Sequence, residues 1–256
     1  MKYVLKPSQI IKLPKLFRKH HLTFIDKVHE SENIFTYRFA KPETFEYRAG
    51  QHFIFKLPHE AADKGGDMRL FSLSSSPHEN YIAFTARYLD DKGSSFKRAL
   101  HSLSKGDVIF ARGPSPINDF FDIDPKNGYI FIIGGIGITP LRSVLVDAVQ
   151  ANKEIAASII WANKSDSLPF TQDFEIIKAQ LKNVSMKYIT NPKHIEVEDL
   201  KKMKSNYIQP KYVISGTPGF SKAMEKMLVS DLGVSSAEVK SYAYEAGFGM
   251  GGGYKG

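Results

Sequence analysis

The pattern of apolar residues changes at one point in this chain, and that change limits the folds it can adopt. Before Asp124, short segments rich in β-branched and aromatic residues alternate with turn residues. After Gly128, apolar strands alternate with segments of helical periodicity. The residues between, Asp124-Pro125-Lys126-Asn127-Gly128, have the composition of a linker. We therefore expect a basic N-terminal leader (1–20) and two domains (21–124 and 125–256).

The first domain is predicted to be an antiparallel β-barrel. Many short strands separated by Gly and Pro are typical of closed antiparallel barrels. One helix interrupts the strands, beginning with a serine cap at Ser94 and ending near Gly106. The predicted strands are 23–28, 34–39, 52–57, 70–74, 81–88 and 108–111.

The second domain is predicted to be an α/β doubly wound parallel sheet. Residues 129–133 are apolar throughout, as expected for a strand buried on both faces. Strict alternation of strands and helices implies a parallel sheet with helices on both faces. The predicted strands are 129–133, 158–161, 185–190, 212–215 and 238–242, and the predicted helices are 140–150, 172–181, 197–203 and 221–230.

The chain contains no cysteine, which excludes several kinds of chemistry together. Disulfides, thiolate zinc sites, cysteine-ligated iron–sulfur clusters and catalytic thiols all need that residue. The eight histidines show no metal-ligand spacing, so no metal is expected. No apolar run approaches the roughly 20 residues that cross a bilayer, and no signal-peptide pattern opens the sequence. We expect a cytoplasmic protein without an integral membrane segment, whose redox chemistry would depend on a bound group.

The net charge of +8 is shared between the two halves, but every charged residue near the start of the sequence is basic. Six Lys or Arg residues precede Asp26, the first acid. Such a leader could attract an acidic protein, nucleic acid or an anionic membrane surface. We favour a solvated tail as the simpler interpretation. The sequence has no recognised nucleic-acid motif and no stripe of aromatic and basic residues, so nucleic acid is not an expected partner.

Two glycine turns in the second half indicate nucleotide binding. Residues 132–140 contain a strand, a glycine turn and a helix start, where N–H groups and the helix dipole can hold a phosphate. Leu141-Arg142 stand where the common dinucleotide fingerprint has a third glycine. The turn 215–220 follows another strand, and both turns fall at carboxyl ends of predicted parallel strands. Glycine turns also serve tight packing, but two in one sheet favour a nucleotide.

In the first half, Arg69-Leu70-Phe71-Ser72 places Arg69 and Phe71 on one face of a predicted strand. Taken alone, the arginine is more often a solvated edge charge and the phenylalanine a core residue. Further along, Gly93-Ser94-Ser95 opens the predicted helix and offers a second anion site. Together these features are consistent with a planar ligand that carries phosphate.

The motifs and their order resemble the ferredoxin–NADP reductase superfamily, over roughly residues 22–248. This resemblance implies a flavin-binding barrel followed by a nicotinamide-nucleotide domain. It also implies an NAD(P)H-dependent oxidoreductase with FAD and either NADH or NADPH as cofactors. The matching landmarks are Ala49-Gly50-Gln51, Arg69-Leu70-Phe71-Ser72, Ser75-Ser76-Pro77, Gly93-Ser94-Ser95, Gly113-Pro114, residues 134–140, and residues 216–220 with Met224.

The resemblance implies a role for each matching residue. Arg69 would pair with the FAD pyrophosphate, Phe71 would stack on the isoalloxazine, and Ser72 would lie near flavin N5. The implied catalytic residues are Ser72, Ser215 and Glu245. The implied cofactor-binding residues are Arg69, Leu70, Phe71, Ser72, Arg87, Tyr88, Gly93, Ser94, Ser95, Gly135, Gly137, Ile138, Thr139, Pro140, Gly216, Thr217, Pro218, Tyr244 and Phe248.

The sequence also departs from the family pattern. Phe71 stands where the family usually has tyrosine, and Ser215 where a cysteine is common. Ser115-Pro116-Ile117 replace a further glycine and an aromatic after Gly113-Pro114. Tyr244 and Phe248 are both candidates for the C-terminal aromatic that the family places over the flavin. Glu245 could assist proton transfer, although a surface carboxylate is the simpler interpretation.

The electron acceptor is expected to be a separate molecule, because no iron–sulfur cluster can form without cysteine. A basic protein suits an acidic carrier, ferredoxin- or flavodoxin-like. The alternatives are reduction of free flavin or ferric chelates, and a non-catalytic flavin- or nucleotide-binding subunit. Thr190-Asn191 replace the Ser-Arg pair of many NADPH-using members, with Lys164 and Lys193 as nearby cations, which favours NADH.

Overall fold

The computed structural model describes residues 18–60, 62–114 and 123–243. These residues form two compact units, the first ending before Ile123 and the second beginning there. The predicted domain limits, with a leader at 1–20, stay predictions. The first strand begins at Lys19, inside the segment assigned to the leader. It begins there because His20 and Leu22 alternate inward with the core residue Phe24, so the strand pattern runs back through polar sequence.

The described residues of the N-terminal unit form six antiparallel strands, and an α-helix lies between the last two of them. The helix is α1 (Ser95–His101). The strands are β1 (Lys19–Ser31), β2 (Ile34–Ala40), β3 (His52–Lys56), β4 (Met68–Ser72), β5 (Tyr81–Arg87) and β6 (Val108–Arg112). They form one sheet in the order β4-β3-β6-β1-β2-β5. The antiparallel, barrel-like architecture is therefore confirmed.

The prediction that this barrel is closed is wrong. Within the part of the chain that the structure describes, the edge strands β4 and β5 meet at one isolated bridge, Leu73 with Phe84. Beyond it, the Ala83 N–H donates to the hydroxyl of Ser75 at 2.9 Å, and the Ser74 N–H donates to the Ala83 carbonyl at 2.8 Å. A serine side chain thus takes the place of a ladder partner, so the strands do not pair along their length.

The core of the N-terminal unit is largely aromatic. Phe39, Phe55 and Phe84 are fully buried. The Phe84 ring lies 5.6 Å from that of Phe39 and 4.4 Å from that of Phe55. Each buried phenylalanine stabilises the fold by roughly 1.5–3 kcal/mol through removal of its surface from water. This aromatic layer lies beneath β4, the strand that carries the Arg69 motif.

The C-terminal unit is a five-stranded parallel sheet, as predicted. Its strands follow the order β11-β10-β7-β8-β9, and each neighbouring pair is parallel. The strands are β7 (Gly128–Gly134), β8 (Ala156–Asn163), β9 (Val184–Thr190), β10 (Lys211–Gly216) and β11 (Val239–Ala243). The helices are α2 (Thr139–Gln150), α3 (Thr171–Gln180), α4 (Val197–Lys204) and α5 (Pro218–Lys226).

Helices pack on both faces of this sheet, which explains its apolar central strand. On one face, Ile130 and Ile132 of β7 share a core with Leu200 of α4. On the other, Trp161 of β8 contacts Phe174 of α3, with ring centroids 5.6 Å apart. Because successive side chains of a strand point to opposite faces, β7 must be apolar at every position. The predicted doubly wound arrangement is confirmed.

Helix α5 begins earlier than predicted, at Pro218 rather than Ser221. Thr217 precedes it and its hydroxyl accepts the Phe220 N–H at 3.4 Å, while Pro218 fits the first helical turn. The helix gives way to a π-helical turn at Met227–Asp231. Among residues 18–60, 62–114 and 123–243, no helix combines the length and the apolar character needed to cross a membrane.

Candidate functional site

Strand β4 presents Arg69 and Phe71 on the same side, as the alternation predicts. Both contact Phe96 of α1: the guanidinium carbon lies 5.4 Å and the Phe71 ring centroid 6.0 Å from its ring centroid. The register pairs Phe71 with Phe53 and Arg69 with Phe55 of β3. A cation and an aromatic ring thus lie next to each other at the edge of the aromatic core.

The ring of Phe71 forms a flat, firmly held surface. It lies parallel to the ring of Phe84, with centroids 4.4 Å apart and an interplanar angle of 11°. Phe84 is fully buried, whereas Phe71 is half-buried. One side of Phe71 is therefore fixed by the core while the ring stays partly accessible. A flat aromatic ligand fits this surface, because stacking on an immobilised ring orders little besides the ligand.

Arg69 lies in the expected place, but its guanidinium is enclosed by the preceding loop. The residue is 5% exposed. Its Nη1 donates to the carbonyls of Gly65 at 2.5 Å, Gly66 at 3.0 Å and Met68 at 2.8 Å. Its Nη2 donates to Oδ1 of Asp63 at 3.3 Å. The charge that a phosphate would need is present, and the predicted contact with pyrophosphate requires this loop to move.

The predicted anion site at Gly93, Ser94 and Ser95 is also engaged by Asp63. The Ser95 N–H donates to Asp63 Oδ2 at 2.7 Å, and the Asp63 N–H donates to the Ser95 hydroxyl at 3.0 Å. His59 Nε2 lies 2.9 Å from the same hydroxyl. Ser94 occupies the N-cap of α1, and Gly93 precedes it, half-buried. The structure thus brings Ser95 and Arg69 together through one carboxylate.

Leu70 and Ser72 are the other predicted cofactor residues on β4, and both are half-buried. Ser72 is paired across the sheet with His52 of β3. Opposite residues of an antiparallel pair point to the same face, so the His52 ring and the Ser72 hydroxyl are neighbours. His52 is 8% exposed, and burial lowers its pKa from 6.5 to about 4. The imidazole is therefore neutral at ordinary pH.

Arg87 and Tyr88 lie at the end of β5. Arg87 Nη1 donates to the Asn33 side-chain oxygen at 2.8 Å. The Tyr88 ring stacks on His101 of α1, with centroids 3.8 Å apart and an angle of 10°. These contacts fix the positions of both residues, which are half-buried, and the proposed contact of each with a cofactor stays a prediction.

In the C-terminal unit, the turns after β7 and β10 lie side by side. The hydroxyl of Ser215 donates to the carbonyl of Gly137 at 2.8 Å. A Cβ added to Gly137 would lie 2.5 Å from the Ser215 carbonyl oxygen, so only glycine fits. Gly135 has φ of +52°, which favours glycine, and its carbonyl accepts the Trp161 indole N–H at 2.9 Å. The two predicted glycine turns are thus found at one edge of the sheet.

The two glycines of the first turn serve different purposes. Gly137 allows the turn to pack tightly against β10, so this glycine serves packing and not ligand binding. At Gly135 the nearest atom to an added Cβ would be Asn163 Oδ1, at 3.9 Å. The turn is therefore open beside Gly135 and closed beside Gly137. Of these two glycines, only Gly135 allows a ligand to approach the protein backbone closely.

The start of α2 is buried more deeply than a ligand-lining segment would need. Ile138, Thr139 and Pro140 are buried, and the Thr139 hydroxyl donates to the Ile136 carbonyl at 2.9 Å. Their side chains face the interior, so they can serve a ligand only through the backbone. The N-cap position is Ile138, whose apolar side chain cannot cap the helix.

The opposite turn combines buried and exposed residues. Gly216 is buried, whereas Thr217 and Pro218 are exposed at the start of α5. Ser215 has no exposed surface, and its hydroxyl proton is engaged by Gly137. Ser215 therefore positions the first turn. Its proposed catalytic role stays a prediction.

Some predicted site residues lie outside the described residues. These are Tyr244, Glu245 and Phe248. Ser115, Pro116 and Ile117, where the sequence departs from the family pattern, also lie outside the described residues.

Several residues of the N-terminal site were not singled out from the sequence, among them Asp63, Phe84 and Lys97. Burial lowers the pKa of Lys97, and the nearby Arg69 and Arg87 lower it further, so three cations lie close together. The available signals were weak, since Asp63 only precedes a Gly-Gly pair and Lys97 follows Ser95 by two positions in α1.

We expect Phe71→Ala to weaken flavin binding by about tenfold or more, because one face of the stack is lost. Phe71→Tyr keeps the ring against Phe84 and should bind nearly as tightly as the unmodified protein. Equilibrium titration with FAD, followed by flavin fluorescence, measures both. Equal affinity of the alanine and tyrosine variants would contradict the stacking role.

Comparison with known proteins gives the same architecture. No family model matches the sequence. The chain is 27% identical over 167 residues to the phthalate 4,5-dioxygenase oxygenase reductase subunit of Pseudomonas putida, covering 63% of this chain and 48% of that protein. It spans about half the length of the curated relatives it matches.

Two solved structures match nearly the whole chain. Ferredoxin-NADP+ reductase from Plasmodium falciparum aligns with a TM-score of 0.73 at 17% identity, over 91% of this chain and 99% of the other. The flavohem-like FAD/NAD-binding domain of nitric oxide dioxygenase from Vibrio cholerae aligns with a TM-score of 0.69 at 19% identity, over 88% and 98%.

A barrel-like antiparallel sheet followed by a doubly wound parallel sheet is the fold that the chain shares with these two solved structures. This is the fold of the ferredoxin–NADP reductase superfamily, and the resemblance predicted from the sequence is confirmed. The predicted oxidoreductase class, with FAD and NADH or NADPH as cofactors, agrees with these comparisons.

Proposed function

We propose that this protein is an NAD(P)H-dependent flavoprotein reductase that passes electrons from bound FAD to a separate acceptor. The observation that carries the proposal is the half-buried Phe71 ring, held parallel to Phe84 and next to the Arg69 guanidinium. A flat surface beside a fixed cation suits a flavin nucleotide, which has a planar ring and phosphate groups. When bound, FAD would supply the redox chemistry by accepting a hydride and releasing electrons singly or in pairs.

In the N-terminal unit, the protein's part is to bind and orient. Phe71 would fix the plane of the flavin ring, and Arg69 would hold the pyrophosphate through a planar fork of donors. Ser72 would lie beside the reactive edge of the ring, with the neutral His52 as its cross-strand neighbour. Hydride transfer needs no side-chain nucleophile, so orientation is the main contribution of these residues.

In the C-terminal unit, the turns after β7 and β10 would hold the nicotinamide nucleotide. The backbone at the start of α2 offers N–H groups and the positive end of a twelve-residue helix. Ser215 would keep the Gly137 backbone in place for this ligand. We propose NADH as the preferred donor, because Thr190 ends β9 and Asn191 follows it, at the place where a 2′-phosphate would need a cation.

Anaerobic titration of the purified, flavin-loaded protein tests this proposal. Addition of NADH should remove the visible absorbance of oxidised flavin, and NADPH should do so less efficiently. A protein that binds neither FAD nor FMN is not a flavoprotein, and the proposal fails. A flavin that stays oxidised with both nucleotides would indicate a non-catalytic subunit instead.

We further propose an acidic carrier protein, ferredoxin- or flavodoxin-like, as the acceptor. The support is the net charge of +8, which steers an acidic partner toward the protein, and the similarity to a reductase subunit. Turnover with such a carrier should fall steeply as salt rises, because salt screens steering beyond about 10 Å. Turnover with free flavin or a ferric chelate gives the comparison, and equal salt dependence would favour a small acceptor.

A further inference from the structure

The carboxylate of Asp63 binds two groups that are expected to hold the cofactor phosphate: Arg69, in the proposed function, and the N–H of Ser95, in the anion site predicted from the sequence. Oδ1 accepts the Gly65 N–H at 2.9 Å and Arg69 Nη2 at 3.3 Å, and Oδ2 accepts the Ser95 N–H at 2.7 Å. A phosphate oxygen seeks the same kind of donors, a guanidinium fork and a backbone N–H. One internal anion therefore stands where the phosphate is expected.

The segment 63–67 is shaped around the guanidinium of Arg69. A Cβ added to Gly65 would lie 2.5 Å from Arg69 Nη2, so glycine is needed for this close approach. The carbonyls of Gly65 and Gly66 complete the enclosure. This enclosure depends on the glycines of the segment, and it keeps the Arg69 guanidinium turned toward residues 63–67.

The local charge favours exchange of the carboxylate for a stronger anion. Burial lowers the pKa of Lys97, and Arg69 and Arg87 lie near enough to lower it further. The Ser95 N–H is the largest cause that lowers the pKa of Asp63, so its carboxylate is ionised at neutral pH. A pyrophosphate carries more negative charge and more acceptor oxygens than one carboxylate. Replacing the carboxylate by a pyrophosphate therefore gives the cations a stronger electrostatic attraction.

We propose that Asp63 is an internal competitor for the cofactor phosphate, and that flavin binding displaces the segment 63–67 from Arg69. This inference rests on the proposed function. It makes Asp63 a residue that sets the affinity for the coenzyme from outside the contact surface. In the proposal, the carboxylate holds Arg69 and Ser95 as observed, and it gives up both contacts to the phosphate.

Asp63→Asn tests the proposal, since asparagine keeps the size of the side chain and an oxygen for the Ser95 N–H while removing the charge. We expect the variant to bind FAD about tenfold more tightly, because no ion pair has to be broken. The readout is the dissociation constant and association rate of FAD with the apoprotein, followed by flavin fluorescence and not by turnover.

Asp67→Asn is the matched control. It removes the same charge from the same segment, but Asp67 pairs with Lys56 at 3.4 Å rather than with Arg69. Its FAD affinity should stay within about twofold of the unmodified protein. An equal gain in both variants would mean that net charge alone matters, and an unchanged or weaker affinity of Asp63→Asn would mean that Asp63 builds the site. Either result overturns the proposal.

Gly65→Ala gives an independent route to the same end. The added methyl group would push the guanidinium out of its loop, so FAD affinity should rise here too. Weaker binding would mean that Arg69 acts from within the loop, against the proposal. If the unmodified protein and all variants bind no FAD, the proposed function itself fails and this inference falls with it.

Discussion

Replacing Gly137 by alanine should destabilise the C-terminal unit by about 3 kcal/mol, at the upper end of the usual cost of overpacking. The added Cβ would lie 2.5 Å from the Ser215 carbonyl oxygen and 2.8 Å from its hydroxyl. Because the nearest obstacle is the backbone of the central sheet, it cannot rotate away. We expect the turn after β7 to move, with loss of the Ser215 hydrogen bond and weaker binding of the nicotinamide nucleotide.

Tryptophan fluorescence during urea denaturation measures this effect. Trp161 is the one tryptophan in the sequence, and its indole donates to the Gly135 carbonyl in the same turn. Gly219→Ala is the control, since no atom lies within 4 Å of its added Cβ and alanine favours helix by up to about 1 kcal/mol. If Gly137→Ala unfolds at the same urea concentration as the unmodified protein, the two turns do not pack as described.

Acid should weaken the N-terminal unit through His52. Its pKa is about 4 in the folded protein against 6.5 when exposed, so the unfolded chain binds more protons between these values. Stability is therefore full above pH 6.5 and falls as the pH drops toward 4. The loss attributable to this residue is roughly 3 kcal/mol over the whole interval.

Urea titrations across this pH interval, followed by near-ultraviolet circular dichroism of the aromatic core, give the slope of stability against pH. His52→Gln removes the titrating group and should flatten that slope. His194→Gln changes an exposed histidine of the other unit and should leave it as it is. A slope that stays the same in His52→Gln would show that the imidazole is already accessible to protons in the folded state.

Most of the fold could be predicted because it depends on patterns of residues that are close together in the sequence. The apolar run of β7, the glycine turn after it and the helix that follows are neighbours in sequence, and each has a distinct periodicity. Alternation of strands and helices was then enough to predict a parallel sheet, because connections between parallel strands are strongly constrained. The shared face of Arg69 and Phe71 followed from the two-residue period of a strand.

What the sequence did not reveal depends on contacts between distant segments. The failure of the barrel to close comes from the Ser75 hydroxyl meeting the Ala83 N–H, a side-chain contact with no periodic signal. The enclosure of Arg69 by Asp63 depends on a loop conformation. The burial of Thr139 and Pro140 depends on how α2 packs, which propensity does not specify.

Phe71 belongs to the aromatic core through Phe84, and the same ring is the surface on which the proposed coenzyme would rest. In the coenzyme-bound protein the ligand would therefore be one more layer of that core, supplied from outside the polypeptide. Folding and loading of this unit would then be thermodynamically linked, with the coenzyme concentration helping to determine how much of the chain is folded.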